Sequence, residues 1–450
     1  MAITNIIKGL IGKEDLKMGI ETFERIKSDG DTQTLTEIGI NTFINNAHTP
    51  DQYGCVMDGV EDDSEAFQNM LDDGGAMFIP PGAVIGLGEA PALFEQTNSH
   101  ILNFGTIKLL DGAHQTGNSS VDPPGVFAFH HIIDSSFYGG IIDGNNQRGA
   151  NGISFSHLDS RSGADHATER NFLSNVRIRN CIHSTDAEQG SDVPHTGGLG
   201  NSGGKAITVQ FGSPGTVIQG VFIQDSSIAI SVEGKVNDGG ATRNLMVQNL
   251  VAENCRVGIH LLGSFQPPGL GSDYFGAQFY GVDLRNCGVD ETSFGVINCL
   301  QASNIRVRGL RITNTSGETI GIRGTMRNCE FEGLLEAATL KHVIDFTRNT
   351  DGSHPTLTSV TSRHNVYDMT VKVHGLGVDG DQFTGYRINS EGGSNDPRYN
   401  QFIFRWMVGD GTGVYTDNME DDAYGFVDPA IGTFHPTNRV TQWDIGGQSW

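Results

Sequence analysis

VRIRNC (176–181), VFIQDS (221–226), LVAENC (250–255), VDLRNC (282–287) and LRITNT (310–315) are versions of one phrase. Each alternates apolar and polar residues and ends in Asn or Asp followed by a small residue, the pattern of a half-buried strand running into a tight turn. The turn positions Asn180, Asp225, Asn254, Asn286 and Asn314 stand 45, 29, 32 and 28 residues apart. Such intervals suit a solenoid whose coils take about 20 to 30 residues plus insertions. Asn is at home there because its short side chain tolerates the left-handed backbone region and hydrogen-bonds local backbone. Stacked on the next coil, its amide can also donate to the residue below.

A second strand follows each turn: AITVQF (206–211), SIAISVEG (227–234), VGIHLLG (257–263) and ETIGIRG (318–324). A period of two sends Ile207, Val209 and Phe211, then Ile228, Ile230 and Val232, then Ile320 and Ile322 to one side, and the residues between them to the other. Two strands joined by a tight turn cannot bury that face alone. Stacked coils can, so the expected architecture is all-β, a parallel β-helix.

Composition agrees with many tight bends, with Gly at 61 of 450 positions and no collagen period. The formal net charge of −24 repels polyanions, which makes nucleic acid and anionic membranes poor partners. No apolar run reaches the roughly 18 residues of a membrane span. The start lacks a basic region ahead of its short apolar stretch and has no small-residue cleavage site, so no secretory signal peptide is expected. Five of the six cysteines (Cys181, Cys255, Cys287, Cys299 and Cys329) directly follow an Asn and read as inert thiols stacked at inward corners. Neither a disulfide framework nor a metal site is expected, because the spacings CxxC and CxxxH are missing. Arg306, Arg308, Arg311, Arg323 and Arg327 form the one dense basic run, read as a solvated or subunit-facing stripe.

Residues 1–47 stand apart from the repeats, with Leu16, Ile20, Phe23 and Ile26 near helical spacing, and are expected to attach to a partner or pack on the body. The stretch DQYGCVMDGVEDDSEAFQNMLDDGGAMFIPPG (51–82) predicts a short helix stopped by Gly74-Gly75. Phe67, Met70 and Leu71 form an apolar stripe able to seal the open end of a solenoid. Asp62 and Glu65 have capping-box spacing, and Asp58, Asp62 and Asp63 read as turn and cap residues rather than catalytic acids.

This stretch resembles the lead-in segment of the pectate-lyase-like right-handed parallel β-helix superfamily, in particular its branch of phage tailspikes and capsule depolymerases. The resemblance covers about thirty residues, and GGIIDGNNQ (139–147) resembles another phrase of that superfamily. It implies a right-handed single-stranded β-helix, usually a homotrimer, and action on polysaccharides, with a bacterial surface polysaccharide as the expected partner. A β-helix without an export signal fits a virion component, with residues 1–47 expected to join a tail or baseplate protein. It supplies no catalytic residues, since no polygalacturonase or pectate lyase motif is present. The expected division is an attachment segment at 1–47, the β-helix at 48–348 with 48–100 capping it, and a β-rich C-terminal domain at 349–450 that trimerises or binds carbohydrate.

In such a helix the outward positions of one sheet line a long shallow groove matched to a linear polymer. Aligning coils on the turn Asn puts Thr208, Gln210, Ser231, Glu233, His260 and Arg323 on one outward face, overhung by the insertions at 184–203 and 264–276. Glycoside hydrolysis needs two carboxyl groups about 5 to 9.5 Å apart, and adjacent coils lie about 4.8 Å apart. Glu233 with Asp238 or Asp273 can meet that geometry and is the expected catalytic pair. Elimination from a uronate polymer needs a base and a cation instead, which His260, Tyr274 and Arg323 can supply. Gln210 joins His260, Tyr274 and Arg323 as a substrate-binding candidate, and no cofactor is expected. A non-catalytic receptor-binding fibre is the third reading, because fold alone does not fix function.

Overall fold

The computed structural model describes residues 43–44, 46–88, 92–94, 96–113, 125–130, 132–147, 149–156, 168–182, 204–210, 213–233, 244–262, 276–290, 294–345, 365–375, 384–387, 401–408, 425–427 and 434–436. One sheet of 24 strands dominates, and all pairings between its strands are parallel. The chain winds right-handedly through three walls. The first wall stacks Ala76–Ile79, His100–Asn103, Ser136–Tyr138, Phe172–Ser174 and Val217–Gln219. The second stacks Val84–Leu87, Thr106–Leu109, Ile141–Asp143, Arg177–Arg179 and Phe222–Gln224. From Leu245–Glu253 onward a single bent strand serves both walls. The third wall stacks Gly125–His130, Asn151–Ser156, Lys205–Gln210, Ile228–Glu233, Val257–Leu262 and Ile297–Ser303.

Two left-handed bends per coil shape this section. The first separates wall one from wall two, at Asn175, Gly220, Asn249, Gly281 and Gly309. The amide of Asn175 sits over Gly220, where a Cβ would come within 2.6 Å of it, and Asn249 sits likewise over Gly281, so Asn and Gly alternate from Asn175 to Gly281 before a second glycine, Gly309, follows. The second bend is the Asn turn read from the sequence, and Asn180, Asp225, Asn254 and Asn286 all have φ between 48° and 58°. Its stacking bonds are present as well, with Asn254 Nδ2 donating to Asp225 Oδ1 at 3.2 Å and Asn180 Nδ2 to Asp143 Oδ1 at 2.9 Å. Asn314 differs from the expectation. It lies within the strand Ile305–Arg327, where its buried amide bonds Cys287 N and O of the preceding coil and Thr319 Oγ1.

Apolar side chains stack in columns inside the coils, as in Ile142, Ile178, Ile223, Ala252, Leu284 and Ile312 of the second wall, all fully buried. Burying each larger one stabilises the fold by about 1.5–3 kcal/mol relative to exposure. Ile228 does not join this core. It packs with Val257 and Phe294 in a separate cluster, because the chain is still turning the corner and Ala229 takes the inward place. All six cysteines are buried and free.

The helix Ser64–Asp73 closes the first coils with Phe67, Met70 and Leu71 buried in the main core. The Asp62–Glu65 capping box is not formed. Asp62 instead accepts the N–H of Ser64 and of Gly88, while Asp63 is the N-cap residue and is buried, its carboxylate accepting three backbone N–H groups from Val56, Met57 and Gly86.

The ladder does not stop at 348. Val366–Gly375 pairs in parallel with Glu330–Asp345, Thr384–Arg387 pairs with the end of that strand, and Gln401–Val408 pairs with Val366–Gly375. The coils therefore run on to Val408, and the expected boundary at 348/349 falls inside them. The repeated phrase fades from the sequence after about 350, yet the strands that follow keep the parallel ladder. Beyond them Gly425–Val427 and Phe434–Pro436 form an antiparallel pair. Residues 1–42, with the expected attachment helix, lie outside the described residues.

Candidate functional site

From Asn151–Ser156 onward the third wall carries one polar residue per coil on the side away from the core; the coil before it has Ala128 in that place. Register places Ser154, Thr208, Ser231, His260, Asn298, Arg323 and Asp345 in a single column. Each is flanked along its strand by inward residues, such as Ile207 and Val209 around Thr208 or Ile259 and Leu261 around His260. Strand alternation alone therefore turns the column outward. Rungs about 4.8 Å apart put its ends about 29 Å from each other.

The column is not the open groove expected from the sequence. Its seven members are between 0 and 9% exposed, so the outward face is enclosed. Beside it, nearer the corner, lies the Ile228, Val257 and Phe294 cluster, with the Arg256 guanidinium 5.1 Å above the Phe294 ring. Within the column, Ser231 Oγ lies 3.3 Å from His260 Nδ1, and Arg323 Nε lies 3.5 Å from Asp345 Oδ2. Withdrawal from water strengthens such contacts and makes unmatched polar groups costly.

His260 and Arg323 thus stand in the same column as Thr208 and Ser231, as the alignment on turn residues expected. Gln210 and Glu233 share a neighbouring register line, Gln210 paired with Glu233 and Glu233 with Leu262; only their backbones are described. Asp238, Asp273 and Tyr274 lie outside the described residues. Asn298 and Asp345 belong to the column but were not among the expected site residues. The signal existed, since INC (297–299) and IDF (344–346) repeat the apolar-polar rhythm of AITVQF, but neither is among the four second strands aligned.

The basic run does not form one patch. Arg306 and Arg308 lie on the first wall and meet Glu330 and Glu332 of the next coil, Arg311 lies on the second wall, and Arg323 is in the third-wall column. On the second wall Glu336 accepts from Lys372 at 2.9 Å and His374 at 2.8 Å. The Lys372 bond, above all, holds its carboxyl below the usual range, so it is a poor proton donor. Among the described residues no three His, Cys, Asp or Glu side chains gather into a metal-binding group, and no helix is long and apolar enough to cross a membrane.

The fold is a right-handed parallel β-helix. No family model and no curated protein matches the chain. Solved structures similar to it include ORF18 of Geobacillus virus E2, at 12% identity and TM-score 0.38, covering 85% of this chain and 66% of that one. A mannuronan C-5 epimerase A-module of Azotobacter vinelandii is 13% identical with TM-score 0.42, covering 81% of this chain and 94% of that one. The enzymatically active domain of bacteriophage CBA120 tailspike protein 2 is 12% identical with TM-score 0.36, covering 80% of this chain and 47% of that one. The chain thus spans less than two thirds of the two viral proteins.

Proposed function

We propose that this protein binds and depolymerises a bacterial surface polysaccharide laid along the third wall, as a homotrimeric phage tail component acting outside the host cell. The observation that carries the reading is the polar column, which repeats a hydrogen-bonding or charged group on seven successive coils, a spacing that suits a linear polymer; because that face is enclosed, the polymer reaches it only when the face opens. For the chemistry, glycoside hydrolysis with Glu233 paired to Asp238 or Asp273 is the first reading. Asp345 is no partner for Glu233: four coil steps separate their rungs, about 19 Å, against the ~5 to 9.5 Å that hydrolysis needs.

A second reading, β-elimination from a uronate polymer, is favoured by one observation. His260 and Arg323 stand two rungs apart on the same column, a base and a cation that a uronate could meet together. Incubation with purified capsular, exo- and O-antigen polysaccharides separates the readings. New reducing ends without unsaturated uronate are expected for hydrolysis, unsaturated uronate for elimination, and binding without shortening for a non-catalytic fibre. Under the first reading Glu233→Gln loses about 10²- to 10⁴-fold in rate, and full activity in that variant removes Glu233 from the mechanism.

A further inference from the structure

Among the described residues several buried amides are satisfied on both sides by the backbone of an adjacent coil, and Asn103, whose Nδ2 has no partner, still accepts the Gly105 N–H through Oδ1. Asn171 accepts from Ser135 N–H and donates to Ile132 O, and Asn365 accepts from Cys329 N–H and donates to Met326 O. Asn314 bonds Cys287 in the same two-way fashion. Asn298 breaks this pattern. It is fully buried, yet neither its Nδ2 nor its Oδ1 has a hydrogen-bond partner among the described residues. The Thr208 hydroxyl, 1% exposed, is in the same condition. Both lie in the third-wall column, and they bracket the Ser231–His260 pair: Thr208 is one rung before Ser231 and Asn298 one rung after His260.

Nothing in the local structure accounts for an Asn at 298. It sits inside the strand Ile297–Ser303, not at a left-handed bend, and Asn is disfavoured in strand interiors. A buried polar group left without a partner is costly and calls for an explanation, and Asn298 is the one described side chain that leaves both a donor and an acceptor of its amide unmatched.

We propose that Asn298 is a sugar-facing residue: its amide donates to one hydroxyl and accepts from the adjacent hydroxyl of a saccharide unit bound along the column. The inference rests on the polysaccharide reading above. One donor beside one acceptor complements a vicinal pair of neutral hydroxyls, whereas a carboxylate facing Oδ1 would be repelled and would turn to Arg323 on the next rung. Thr208 marks the far end of the same ligand, three rungs away, or about 14 Å. An oligosaccharide must reach across that span to engage both.

The test measures affinity and melting temperature together on the full chain. Oligosaccharides of graded length are cut from a polysaccharide that the wild type retains in a panel of capsular, exo- and O-antigen preparations, and are titrated by calorimetry into the wild type, Asn298→Leu, Asn298→Ser and Thr208→Val. Asn298→Leu removes the unmatched amide and is expected to melt at or above the wild-type temperature while binding weakens about tenfold or more. Thr208→Val weakens only oligomers long enough to span both positions. Asn298→Ser, which copies the residue type at Ser231, keeps the measurement open should the Leu variant fold poorly, and it too must bind more weakly. Unchanged affinity in either Asn298 variant overturns the inference while leaving the polysaccharide reading intact, and so does a fall in melting temperature with affinity per folded molecule unchanged. A wild type that retains no polysaccharide defeats the underlying reading, and the inference falls with it.

Discussion

Replacing Asp63 with Ala is expected to open the N-terminal cap while the coils beyond it stay folded. The buried carboxylate accepts N–H groups from Val56 at 2.7 Å, Met57 at 3.2 Å and Gly86 at 3.2 Å, tying the segment before the helix to the start of the second wall. The Gly86 bond is buried, so its loss strands a donor at a cost of about 1–3 kcal/mol. The Val56 and Met57 bonds are only partly buried, their donors regain water, and each counts for about 1 kcal/mol. The total is about 4 kcal/mol. Coils of a solenoid touch only their neighbours, so the loss stays local. Hydrogen exchange read by mass spectrometry should then speed up by nearly three orders of magnitude in peptides over 55–88, with peptides over Val257–Leu262 unchanged. Protection over 55–88 within about tenfold of the wild type would refute the assignment of Asp63 as the tie of the cap.

Arg323→Met removes the cation beside the buried Asp345 and should cost about 3–5 kcal/mol; adding Asp345→Asn should recover part of it in denaturant melts, and a double variant no better than the single one contradicts the pairing. Burial pushes Cys181 and Cys329 up to about 12, and holds Cys255 and Cys299 well above their ordinary value near 9, with the bond to Cys287 the largest cause at Cys255. Above pH ~9 the unfolded chain releases these protons while the folded chain keeps them, so each thiol is expected to lower stability by about 1.4 kcal/mol per pH unit up to its folded value. Melting temperatures between pH 7 and 11 check the direction, and a thiol reagent at pH 8 should label none of them before unfolding. Column residues this enclosed are reached only if their cover moves, so glycan association should fall below the usual ~10⁵ M⁻¹s⁻¹, measurable by stopped flow.

The fold was legible because its determinants are local and repeated. Alternation in VFIQDS and LVAENC, with an Asn or Asp able to occupy the left-handed region, dictates strand and bend without reference to the rest of the chain. The cap was legible for the same reason, through the spacing of Phe67, Met70 and Leu71. The exceptions arose where a long-range contact decided the outcome. Asn314 looks like a turn residue but bonds Cys287 on the coil before it, and Ile228 keeps the strand parity yet packs under Phe294 from a later segment. The third-wall column was half legible. Alignment on turn residues found Thr208, Ser231, His260 and Arg323, but Asn298 and Asp345 sit on strands outside the four that were aligned.

By itself the sequence determined that strands form, where they bend and which side of each faces inward, because those outcomes depend on neighbours two to four residues away. The tertiary structure alone decided which residue stands above which, that the coils persist to Val408, and that the polar column of the third wall is enclosed. Those outcomes depend on register between coils, which is fixed by stacking contacts across insertions of unequal length, and no count of residues along the chain contains it.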